Sequence, residues 1–144
     1  MQFDGRASKI MVIDNDRTTL EMMHLRLDVA GFHPLSARSG QAALEVLETS
    51  RPDAVILERN LPEMCGMALL RAMAAMPGRP VPVLLVGRNL AAEDVRTGLE
   101  LGVRDCLAKP FSGAVVLERL TRMLKRHGPA PASSPARAVV HINA

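Results

Sequence analysis

Apolar positions along this chain follow two alternating rhythms. Compact runs rich in Val, Ile and Leu stand at 9–14, 53–58 and 81–86, with weaker ones at 32–36 and 103–108. Short apolar runs bounded by charges or turn formers predict strands buried on both faces, as in a parallel sheet. Between them, apolar residues recur at helical spacing. The first helix follows Asp16, whose carboxylate suits an N-cap; it carries Leu20, Met23, His24 and Leu27, and Gly31 ends it. The second follows Ser39, with Ala43, Leu44, Val46 and Leu47 turned inward. The third spans 67–75 and stops at Pro77-Gly78. The fourth is expected from a cap at Asn89 through Leu101, closed by Gly102. The last begins after Ser112, runs to about Arg126, and buries Val116, Leu117, Leu120, Met123 and Leu124.

Five strand–helix alternations imply right-handed crossovers and a parallel sheet covered on both faces, a doubly wound α/β domain. The run at 53–58 reads as its central strand. Pro34 places the run at 32–36 at or near a sheet edge, and Pro82 is tolerated only near the start of its strand. The expected organisation is a polar lead over 1–8, one domain over 9–126, and a Pro/Ala-rich tail or linker over 127–144. Within the tail, only 137–142 has the composition of an added strand.

Composition narrows the function. With 2% aromatics and neither Trp nor Tyr among 144 residues, the core must be aliphatic and Met-rich. A net charge of +3 is too mild to argue for nucleic acid. No apolar run approaches the ~20 residues that span a bilayer, and the N-terminus lacks a signal-peptide pattern. Cys65 and Cys106 lie far apart without metal-ligand spacing, which suits reduced thiols and a cytoplasmic location. Cys65, in the loop after the central strand, is the better candidate for an exposed thiol, and Cys106 reads as a small buried residue. His24 reads as a packed or surface side chain, since no partner motif accompanies it.

Three strands end on groups that would meet at one rim. These are Asp14 with Asn15 and Asp16, then Glu58, and Lys109 before Pro110. In open parallel sheets, chemistry gathers beyond the carboxyl ends of the strands. Carboxylates facing a lysine suit a metal-assisted phosphoryl acceptor, in which acids hold Mg²⁺ and one of them attacks phosphorus. Over 9–126 the chain resembles the receiver domain of bacterial two-component response regulators. The resemblance is carried by Val12-Ile13-Asp14, by Leu57-Glu58 through Leu61-Pro62 to Gly66, and by Gly102 through Leu107-Ala108-Lys109-Pro110-Phe111. It implies a flavodoxin-like, five-stranded parallel sheet in the order 2-1-3-4-5, and a cis Lys109-Pro110 bond.

The departures from that family bear on function. The resemblance puts the phosphoacceptor aspartate at Glu58, where the extra methylene displaces the carboxylate by roughly 1.5 Å. In-line attack depends on placement at that scale. The family's acidic pair becomes Asp14-Asn15, its switch hydroxyl becomes Gly87, and its switch aromatic becomes Cys106. The expectation is therefore a non-enzymatic, phosphorylation-independent interaction module, with no cofactor and at most weak Mg²⁺ at Asp14 and Glu58. Glu58 would then be either a phosphomimic or an ion-pair partner of Lys109. The face of the fourth helix, fifth strand and fifth helix, with Arg96, Arg104, Arg119 and Arg122, would meet a histidine kinase, a phosphotransferase, another regulator or a second copy. Two alternatives stand beside it. One is a sensor of a cyclic di-GMP-like nucleotide through those arginines with Arg88 and Arg126. The other is a residual phosphoryl acceptor in a phosphorelay. Neither a membrane nor direct nucleic-acid contact is expected, as no DNA-binding motif follows.

Overall fold

The computed structural model describes residues 7–126. The proposed tail and its strand at 137–142 lie outside the described residues. Five strands alternate with five helices: β1 Lys9–Ile13, α1 Arg17–Val29, β2 His33–Ala37, α2 Gly40–Thr49, β3 Ala54–Glu58, α3 Gly66–Ala74, β4 Val83–Gly87, α4 Ala92–Glu100, β5 Val103–Ala108 and α5 Gly113–Arg126. All neighbouring strands pair in parallel in the order β2-β1-β3-β4-β5. The doubly wound architecture and strand order expected from the sequence are both present.

Period-2 alternation divides the strand side chains between two cores. Ile10, Val12, Ile56, Leu84 and Val86 pack with Leu20, Met23 and Leu27 of α1 and Val116, Leu120 and Met123 of α5. Met11, Ile13, Val55, Leu57, Leu85 and Cys106 face Ala43 of α2 and Leu69 and Leu70 of α3. Both faces of the middle strands are therefore covered, which is why those strands read as unbroken apolar runs. His24 sits on the exposed side of α1.

Most predicted caps form. Asp16 accepts from the Thr19 N–H at 3.0 Å, and Ser39 accepts from the Ala42 N–H at 3.0 Å. Ser112 accepts from the Val115 N–H at 3.3 Å. The start of α4 differs from expectation. Asn89 has φ 51° and lies in the preceding turn, whereas an N-cap needs extended backbone. Ala91 takes that place without a capping side chain, and Asp94 in the first turn accepts from its N–H at 3.2 Å. In the β4–β5 register Val83 faces Val103 but Leu84 faces Asp105, so Arg104 is passed over and its side chain is exposed.

Candidate functional site at the strand ends

Asp14 follows β1 directly, and its N–H donates to the Ala37 carbonyl at 3.1 Å. Its Oδ1 accepts from the Asp16 N–H at 3.0 Å. Glu58 closes β3 opposite Val86, with Oε2 accepting from the Asn60 N–H at 2.8 Å. Both carboxylates are buried, with Asp14 3% and Glu58 5% exposed. Lys109 reaches them from the end of β5, where its backbone N–H donates to the Gly87 carbonyl at 2.9 Å and its bond to Pro110 is cis. Its Nζ lies 2.6 Å from Glu58 Oε1 and 3.0 Å from Asp14 Oδ2. Burial disfavours the ammonium charge, but the hydrogen bonds to Glu58 and Asp14 outweigh it, so the Lys109 pKa is raised. One cation thus bridges two buried anions.

The other acidic-cluster residues are placed differently. The Asp16 carboxylate is turned to its capping role, and the hydrogen bonds from the Thr19 hydroxyl and N–H hold its pKa below the ordinary aspartate value. Asn15 is exposed. Lys109 spans the two buried acids, so a divalent cation at Asp14 and Glu58 would have to displace or share its ammonium contacts.

Gly87 borders this cluster, whereas Cys106 lies opposite Leu85 in the core on the α2–α3 side of the sheet. A Cβ on Gly87 would stand 3.3 Å from each of Glu58 Oε2, Arg59 Cβ and Leu90 Cδ2. The longer acid at position 58 and the missing side chain at 87 therefore fit each other. Cys106 is fully buried, and burial, reinforced by neighbouring Asp105, pushes its thiol pKa up to about 12. Cys65 is exposed, at the N-terminus of α3. Gly66 is required there by close approach, since a Cβ would come within 3.0 Å of the Arg59 Cα and the Glu58 carbonyl oxygen.

The arginines proposed as a partner surface separate into two groups. Arg96 and Arg104 are exposed, as is Arg88 in the loop after β4, and Arg122 makes a loose pair with Glu118 at 3.5 Å. Arg119 is not part of a free surface. Its Nη1 donates to both Asp105 oxygens at 3.1 Å and to the Cys106 carbonyl at 3.2 Å, joining α5 to β5. The Arg126 side chain lies outside the described residues. The sequence reading also passed over Arg59. Its Nε and Nη2 donate to Asp94 at 2.7 and 3.1 Å, linking the end of β3 to the first turn of α4. The available signal was an arginine at the end of β3 together with an acid in the first turn of α4, the helix that follows β4, and only the β3–β4 adjacency brings the two together.

A parallel doubly wound sheet with two acids and a lysine at its carboxyl rim is the frame of a signalling receiver. The chain belongs to the response regulator receiver domain family, whose model matches residues 10–121. Among curated proteins it is 35% identical over 138 residues to the probable transcriptional regulatory protein TcrX of Mycobacterium tuberculosis, covering 95% of this chain and 58% of that protein. It is 33% identical over 126 residues to the transcriptional regulatory protein PrrA of the same organism, covering 88% of this chain and 54% of PrrA. The chain thus spans somewhat more than half the length of the curated relatives it matches. Among solved structures, a putative response regulator from Chloroflexus aurantiacus superposes with a TM-score of 0.77 at 30% identity, covering 84% of this chain and 100% of that one. The receiver domain of a histidine kinase from Syntrophus aciditrophicus gives 0.76 at 29% identity, with 90% and 99% covered.

Proposed function

We propose that this receiver domain works as a phosphorylation-independent protein-interaction module in two-component signalling. The observation that carries this reading is the Lys109 bridge, with Nζ 2.6 Å from Glu58 and 3.0 Å from Asp14. Glu58 is held by an internal cation and by the Asn60 N–H, so its carboxylate is committed on both oxygens. Asn15 offers a neutral oxygen where a hard cation favours an anion, so Mg²⁺ affinity is expected to be weak. Gly87 has no hydroxyl to follow a phosphoryl group, and Cys106 has no ring to reorient. The domain is therefore expected to present one arrangement of its α4–β5–α5 face, read by a histidine kinase, a phosphotransferase, another regulator or a second copy.

The arginine-sensor alternative loses support, because Arg119 is committed to Asp105. Arg96, Arg104 and Arg122 remain exposed on this face, as does Lys125, and guanidinium groups suit carboxylate or phosphate partners. A partner recovered by affinity pull-down separates the readings. It should bind Glu58→Gln within a few-fold of wild type, and Arg104→Glu/Arg122→Glu at least about tenfold more weakly. Loss of binding in Glu58→Gln would make Glu58 a phosphomimic whose charge is read. Unchanged binding in the double arginine variant would remove this face from the account.

A further inference from the structure

We infer that Arg59 is a positioning residue that latches α4 onto the sheet through Asp94, outside the Glu58–Lys109 cluster. This inference rests on the proposed function and supplies the physical reason for a single arrangement of the α4–β5–α5 face.

The latch has a rigid base. The Arg59 N–H donates to the Val86 carbonyl at 2.9 Å, and its carbonyl accepts from the Gly66 N–H at 2.9 Å. Its backbone is thus held between β4 and the start of α3. Nη1 donates to Asn60 Oδ1 at 2.8 Å, which fixes the guanidinium plane. The remaining nitrogens present a two-bond fork to Asp94, at 2.7 and 3.1 Å. Paired charged bonds of this kind fix orientation as well as distance.

The other end of the latch lies on a weakly anchored helix. α4 has nine residues, of which only Gly98 is fully buried, and its N-cap Ala91 offers no side-chain acceptor. Val95 and Leu101 pack only partly buried against the core. The Asp94 carboxylate therefore does two things at the first turn, accepting from the Ala91 N–H at 3.2 Å and holding Arg59. The pair adds an oriented charged contact at the first turn of α4, beside the apolar contacts that Val95, Gly98 and Leu101 make with the core. Arg59 also borders the open side of Gly87, where a Cβ on the glycine would stand 3.3 Å from the Arg59 Cβ and 3.3 Å from Glu58 Oε2. The site and α4 are neighbours, yet the bond that seats α4 comes from Arg59.

The test is amide hydrogen exchange by mass spectrometry on the whole chain. It compares wild type, Arg59→Gln, Asp94→Asn, the double variant and Glu58→Gln. Asp94→Asn keeps an oxygen for the Ala91 N–H, removes the charge and turns one of the two acceptors of the Arg59 fork into a donor. Each single change at the latch should speed exchange over Ala92–Glu100 by about tenfold, with β3 and α3 unchanged. The double variant should go no further than either single, because the two residues act as one contact. Wild-type protection of α4 in Arg59→Gln, a rise spread evenly over the domain, or additive effects in the double variant would each overturn the latch. The Glu58→Gln arm reports on the proposed function separately. It should leave α4 exchange as in wild type, and faster α4 exchange in that variant alone would contradict the Glu58-independent reading, while the Arg59→Gln arm still decides the latch.

Discussion

Replacing Lys109 by Met keeps an unbranched side chain one atom shorter and removes the charge that lies between two buried acids. In the wild type the side chains of Lys109, Asp14 and Glu58 are 16%, 4% and 7% exposed, so water reaches none of them freely. Taking one partner from a buried pair costs about 3–5 kcal/mol, because the remaining charge stays desolvated and uncompensated. Here two carboxylates are stranded side by side, so the upper part of that range applies. Against a domain stability of about 5–15 kcal/mol, the loss is a large fraction of the total. With a urea m-value of about 2 kcal/mol/M, a loss of 4 kcal/mol lowers the unfolding midpoint by about 2 M. The chain has no Trp or Tyr, so far-UV circular dichroism is the suitable probe. The double variant Glu58→Gln/Lys109→Met should recover a substantial part of the loss, since one stranded charge is gone and Gln can still accept from the Asn60 N–H. A loss below about 1 kcal/mol, or no recovery in the double variant, would refute the view that Lys109 neutralises this site.

Two further outcomes follow from the ionisable groups. A thiol reagent should label one cysteine of the native protein, Cys65, and reach Cys106 only on unfolding, because Cys106 is buried with its pKa pushed up to about 12. Rapid labelling of both would contradict the core position of Cys106. Stability should also depend on pH at both extremes. Lys109 has a raised pKa, so its contribution is complete below the ordinary lysine value of 10.5 and is lost as pH climbs through the raised one. Asp94 has a lowered pKa, chiefly through its hydrogen bonds from Arg59, so its contribution is complete above 3.8 and is lost as pH falls through the lowered one. Urea midpoints measured across pH should show both limbs in wild type, with the acid limb reduced in Asp94→Asn.

The sheet was legible because its middle strands are covered on both faces. Runs such as Val55-Ile56-Leu57 leave no polar position to be misread, and all three side chains are essentially buried. The meeting of Asp14, Glu58 and Lys109 was legible for a topological reason, since each ends a strand and parallel strands end at one rim. The start of α4 was not, because its cap uses no polar side chain while Asn89, a good cap by composition, adopts the left-handed turn before it. Arg119 and Arg59 were misjudged or passed over for one shared reason. Their partners lie 14 and 35 positions away, on elements whose contact depends on packing and not on spacing. A surface arginine and a structural one look alike until the acid beside it is known.

The central claim is that Glu58 is held in an internal ion pair and does not take a phosphoryl group. Its most direct test is incubation with acetyl phosphate and Mg²⁺ followed by intact mass, beside a family member that carries aspartate at the acceptor position. The aspartate protein should gain a phosphoryl group while this chain keeps its unmodified mass. A phosphorylated species of this chain, mapped to Glu58, would contradict the account.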